Sequence, residues 1–110
     1  MPGAAILVLS NLPDLDSARA LANALLDARL AACISIGAPV ESIYHWRGAR
    51  ETAAEVPLAI KTSALLYPRV EAAIRAHHPY ELPEIIAIPV THALPAYLDW
   101  IAAETSPPRG

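Results

Sequence analysis

Twice along this chain a short apolar run gives way to a stripe of helical period and then to a second apolar run, and a long ribbon joins the two halves. No other feature restricts the fold as strongly. The first run, Ala4-Ala5-Ile6-Leu7-Val8-Leu9, is closed by Ser10-Asn11-Leu12-Pro13-Asp14 and reads as a strand buried on both faces and central in its sheet. From Asp16 to Arg29 the residues Ala18, Leu21, Ala22, Leu25 and Leu26 share one stripe, with Asp16, Arg19, Asn23 and Asp27 opposite. Asp14, Asp16 or Ser17 can cap this helix. Leu30 to Ile36 is the next strand, broken by Gly37-Ala38-Pro39 and resumed from Val40 to Arg47, which points to a bulge or bend in one long strand. After a turn at Gly48, Thr52 to Thr62 returns with Val56, Leu58, Ile60 and Thr62 on one face. Pro57 removes a ladder donor there, so it has to face an edge, a bulge or an irregular pairing.

The second half repeats the order. Ser63 is a candidate cap for a helix that tolerates Pro68 in its first turn and carries Leu66, Val70, Ala73, Ile74 and His77 down one flank. Glu84 to Val90 is a short apolar strand, and Leu94, Tyr97, Leu98 and Ile101 form the stripe of a third helix. Residues 103–110 read as a flexible tail, frayed from Thr105 onward, on a single domain spanning 1–110. With right-handed crossovers the βαββαβ order plus a C-terminal helix gives an α+β fold of the ferredoxin-like split βαβ type. Its four-stranded antiparallel sheet carries helices on one face. The hairpin between the second and third strands, Val40 to Thr62, is too long for that sheet. It protrudes with Tyr44 and Trp46 exposed, which a symmetric oligomer can use.

Composition narrows the partners. A chain of 110 residues buries roughly two-thirds of its unfolded surface, and a 55% hydrophobic fraction without any Phe means a core of Ala, Leu, Ile and Val. Small core side chains bury less each, so self-association is a plausible source of added stability. The net charge is −3 and the eight basic residues are scattered, which argues against nucleic acid or an anionic membrane as partner. Met1-Pro2-Gly3 lacks a basic leader region and the run Ala4 to Leu9 is too short to span a bilayer, so the expected location is cytoplasmic. The single cysteine, Cys33, rules out an intrachain disulfide and reads as a small core residue.

Chemistry concentrates in His77-His78-Pro79-Tyr80-Glu81-Leu82-Pro83-Glu84-Ile85. The prolines hold His78 and Leu82 extended, making a stiff helix-to-strand loop suited to a site, although a plain connector could look the same. His77 lies on a helix flank and reads as a packed or dipole-compensating residue; His78 is the better candidate for facing a ligand. Lys61 is the only lysine, set between Ile60 and Thr62, so it either pairs with Glu81 or Glu84 or lines an anion-accepting cleft with Tyr80, capped by Tyr44 and Trp46. His45 and His92 read as solvated. No Ser-His-Asp order, phosphate loop or closed metal motif is present, so a non-enzyme is expected, without an organic cofactor.

Ala31-Ala32-Cys33, Ser42 to Gly48, Ile60-Lys61-Thr62, His78 to Ile85 and Tyr97 to Ile101 stand in the order and spacing of the CutA divalent-cation tolerance proteins, which the chain resembles over nearly its whole length. The resemblance implies a tight homotrimer with hairpins pairing across subunits, similar in architecture to the trimeric PII signalling proteins. It also implies a link to metal tolerance, with copper binding described for some members. The family's proposed copper ligands are a cysteine ending the first strand and two adjacent histidines. His77 and His78 match the pair, whereas Ser10 stands in the cysteine's place. Without a thiolate the preference for Cu(I) goes, leaving imidazole for Cu(II), Zn(II) or Ni(II). The alternative implied by the architecture is a PII-like trimer taking a small anionic ligand in inter-subunit clefts lined by Lys61, Tyr80, Glu84 and Trp46.

Overall fold

The computed structural model describes residues 4–106; the last residues of the expected tail, 107–110, lie outside the described residues. The elements follow the order β1 (Ala5–Leu12), α1 (Leu15–Asp27), β2 (Cys33–Ile36), β3 (Val40–Trp46), β4 (Ala49–Ser63), a short 3-10 turn (Ala64–Leu66), α2 (Tyr67–His77), β5 (Ile86–Pro89) and α3 (Pro95–Glu104). The antiparallel sheet runs β2-β4-β1-β5, with β3 paired to the overhanging part of β4. This is the ferredoxin-like arrangement. β1 is central, and its alternating residues Ile6, Val8, Ser10 and Leu12 face the helices together with Leu58 and Ile60 of β4. The core they share with Leu21 and Leu25 of α1 and Val70 and Ile74 of α2 is wholly aliphatic.

Local chemistry explains where each element stops. Asp14 caps α1, its Oδ1 accepting the Ser17 N–H at 2.7 Å. That backbone donor first, then the Ser17 hydroxyl, holds the Asp14 carboxyl below its usual range. The helix ends earlier than its charge pattern suggests. Arg29 takes a positive φ of 56°, and the N–H groups of Arg29 and Leu30 return to Leu26 O and Leu25 O, closing a Schellman turn without glycine. Leu26, expected on the apolar stripe, is 42% exposed. At the second helix the expected cap does not form: Ser63 Oγ bonds Thr105 Oγ1 at 2.8 Å, and the N-cap of α2 is Leu66.

The interruption at Gly37-Ala38-Pro39 is a bulge. Ile36 pairs with Leu58 and Val40 with Glu55, so three residues on one strand face two on the other. Gly37 N–H donates to Pro57 O at 2.9 Å, which turns the donor-less nitrogen of Pro57 toward the same gap. A Cβ on Gly37 would lie 2.8 Å from Pro57 Cγ, so the close approach needs glycine. Beyond the bulge, Ala49 to Glu55 pairs with β3 alone, and the ribbon closes on Arg47 and Gly48, both at positive φ as a two-residue type I′ turn requires. Seven paired positions project roughly 23 Å past the sheet.

The two sheet faces are treated unequally. α1 and α2 cover one. On the other, α3 covers only the end where Ala5 and Ile101 are buried and Thr105 meets Ser63. Thr105 therefore belongs to the folded body, its Oγ1 also donating to Ile101 O at 2.8 Å, which corrects the expectation of a tail frayed from this residue. The middle of that face stays bare. Register places Leu7 beside Ile88 and Leu9 beside Ile86, and the two isoleucines are 47% and 51% exposed. In the single chain β1, expected to be buried on both faces, is fully buried on the helix-covered face and on the other only at Ala5.

Ser10 supplies a stability test. It is 1% exposed and its Oγ has no partner among the described residues. Ser10→Ala is expected to raise the unfolding free energy by about 1 kcal/mol, because an orphan hydroxyl in a core costs its desolvation. A urea midpoint shifted downward would refute the assignment.

Candidate functional site

The site grows from the end of α2. Pro79 keeps His78 out of the helix at φ −80° and ψ 132°, and its N–H still closes the last turn on Ile74 O. The ring of His78, on a residue only 8% exposed, turns inward against the end of β1. Its Nε2 lies 2.7 Å from Asn11 O, and its Nδ1 accepts the Tyr80 N–H at 3.1 Å. A carbonyl can only accept, so Nε2 carries the proton and both ring nitrogens are in use. Each bond fixes one end of the loop.

Tyr80 is carried by that anchor. Its ring sits 4.8 Å from the His78 ring, and its phenol lies beside the Glu55 carboxylate of β4. Burial above all, then the neighbouring Glu55 carboxylate, push the phenol up to about 12. Since its folded value exceeds the unfolded one, the associated stability is intact below pH 10 and is lost as pH rises through 12. Titration of phenolate absorbance is expected to show a late step that Tyr80→Phe removes; an unchanged curve would place the phenol in water.

Between the loop and the ribbon opens a cleft of about 1000 Å³, with Tyr44 and Trp46 from β3, Glu55 from β4, and Tyr80, Glu81 and Glu84 from the loop. At its rim Arg47 reaches from the hairpin turn, its guanidinium 2.7 Å from Glu81 Oε2 and 5.1 Å from the centre of the Trp46 ring. Both partners are well exposed, so the pair adds little stability, on the order of 0.5 kcal/mol, and acts as a loose clasp. Glu84 Oε1 accepts from Asn11 Nδ2 at 3.3 Å.

Comparison with known proteins adds the family. The CutA1 divalent ion tolerance protein family matches residues 6–104. The chain belongs to this family. Among CutA relatives, the divalent-cation tolerance protein CutA of Thermus thermophilus is 39% identical over 98 residues, covering 89% of this chain and 95% of that protein. Protein CutA of Mus musculus is 38% identical over 101 residues and 92% of this chain, which spans 57% of that longer protein. The crystal structure of CutA from Xylella fastidiosa superposes with a TM-score of 0.91 at 40% identity, over 94% of this chain and 100% of that one.

Within this CutA fold the residues singled out from sequence separate into three groups. Tyr44, Trp46, Tyr80, Glu81 and Glu84 line one cleft. Lys61 does not join them: it shares the uncovered sheet face with Leu7 and Cys33, and its Nζ donates to Ser35 Oγ at 2.6 Å instead of meeting Glu81 or Glu84. Position along the strand decides this: Lys61 shares the face of β4 that carries Glu55, but it pairs with Leu7 and Cys33, well beyond the cleft. Cys33, half buried on that same face, is outside the core cluster.

The histidine pair forms the third group. His77 is exposed and not packed; its Nδ1 donates to Ala73 O at 2.9 Å, leaving the Nε2 lone pair free. His78 could serve a metal only by giving up Asn11 O or Tyr80 N–H, so the two rings do not form a joint ligand pair within one subunit. No group of three or more His, Cys, Asp or Glu side chains is placed to hold a metal ion among the described residues. Sequence reading missed Glu55, Asn11 and Arg47. A carboxylate directly preceding the buried Val56 was the available signal for Glu55, masked by the bulge across from it.

Proposed function

We propose that the chain acts in divalent-cation tolerance as a cytoplasmic homotrimer that binds ligands and carries out no catalysis. The bare strip formed by Leu7, Leu9, Ile86 and Ile88 carries this reading. Burying such side chains contributes roughly 1.5–3 kcal/mol each, and copies of the chain can do so while the projecting ribbons find strand partners on sister subunits. The lone thiol, Cys33, suits a reducing compartment.

Divalent metal, Cu(II) foremost, is proposed to enter through His77. An imidazole whose Nδ1–H is held by a backbone carbonyl presents an oriented, basic Nε2, the usual arrangement of a metal-bound histidine. Further ligands would come from a sister subunit or from water. Calorimetric titration with Cu(II) and with Zn(II) tests it: saturable uptake is expected, lost in His77→Ala and kept in a folded His78→Asn. Uptake that survives His77→Ala overturns the assignment.

A second, PII-like reading treats the trimer as a small-molecule sensor, favoured by the cleft itself, whose volume suits an organic guest. The anion first expected there loses its support, because Lys61 lies elsewhere and the lining is acidic.

A further inference from the structure

We propose that the cleft between the ribbon and the 78–86 loop binds a small organic cation, an alkylguanidinium or alkylammonium group on a short apolar body. This deepens the small-molecule reading of the cleft and is independent of metal uptake at His77.

Glu55 is the centre of the case. It is 9% exposed, lines the cleft, and has the neutral Tyr80 phenol as its neighbour. No cation meets it: the ion pairs among the described residues are Arg29–Glu104 and Arg47–Glu81. A carboxylate on a largely buried residue with no cation beside it gains from a positive charge placed against it.

The walls suit such a charge. Tyr44, Trp46 and Tyr80 offer ring faces, and a cation above an aromatic ring gains about 0.5–2 kcal/mol, more as water is excluded. The remaining charged groups of the cleft are Glu81, Glu84 and the clasp residue Arg47, with His45 also on the lining. Arg47 and Glu81 offset one another, so Glu55 and Glu84 leave a surplus of negative charge.

The chain already demonstrates the recognition with its own side chain. Arg47 places its guanidinium on the Trp46 ring and a Glu81 oxygen together, at the mouth of the cleft. A guest cation can use the same ring and carboxylate, with Glu55 deeper inside. Arg47 then acts as a competitor. Removing it should strengthen guest binding, an outcome that a merely structural clasp would not give.

The test is titration with agmatine, followed by Trp46 fluorescence in a Trp100→Phe background, with succinate as the anionic counterpart. Saturable change with agmatine is expected, weakened about tenfold by Glu55→Gln and by Glu84→Gln to a smaller degree, and strengthened by Arg47→Ala. The proposal is overturned if agmatine produces no saturable change in a chain that binds succinate, which would keep the cleft and reject the cation. Silence toward both probes rejects the cleft reading along with it. Equal agmatine binding by wild type and a folded Glu55→Gln also overturns it.

Discussion

Ile88→Glu is expected to turn the proposed trimer into folded monomers. Ile88 stands opposite Leu7 in the β1–β5 pair, in the middle of the bare strip, and is 47% exposed in the single chain. A carboxylate there stays hydrated in a monomer and hardly disturbs the aliphatic core on the other face of the sheet. In the proposed trimer the same carboxylate would be buried in every subunit, at a cost of several kcal/mol per charge, while the apolar contact is lost. Sedimentation should therefore report the monomer mass with native circular dichroism. A trimer that withstands the substitution would mean that copies meet elsewhere.

The second large effect belongs to His78. His78→Ala removes the bond to Asn11 O, the acceptor for Tyr80 N–H and a ring packed in the wall of the domain. Two hydrogen bonds lost from a buried place, plus the cavity, amount to a destabilisation of about 2–4 kcal/mol. The loss also has an address. With the anchor gone the loop should drift, taking Tyr80 from Glu55, so the Tyr80 amide should exchange much faster and the late phenol step should fall toward the ordinary tyrosine range. His78→Asn, which can restore one of the two bonds, should recover part of the stability. Unchanged exchange at Tyr80 in a folded His78→Ala would show that the prolines alone hold the loop.

Much of the fold could be read from residue patterns because it rests on local signals. The period-two burial of Val56, Leu58, Ile60 and Thr62, the helical stripe from Ala18 to Leu25 and the Gly37–Pro39 break against Pro57 each leave a mark within a few residues. What stayed hidden depends on contacts between distant segments. His78 looks like a free ligand until Asn11 O, 67 positions away in the chain, takes its Nε2. Thr105 looks like tail until Ser63 meets it, and that contact also diverts Ser63 from capping the next helix. Lys61 was misplaced for a subtler reason. Its neighbours fix its strand and its face, but only the register shows that the cleft stops near Asn11 and Glu55 while Lys61 pairs with Leu7 farther along that face. In the candidate site Tyr80, Glu81 and Glu84 were visible in the motif from His77 to Ile85 and Tyr44 and Trp46 in the ribbon, whereas Glu55 came from another strand and became visible only with the register.

The claim on which the rest depends is that sister copies cover the bare face. Sedimentation equilibrium of the unmodified chain tests it most directly. The expected result is one species of about 35 kDa, three times the 11.7 kDa chain, unchanged on dilution into the nanomolar range. A stable 11.7 kDa species that stays soluble at high concentration would contradict it.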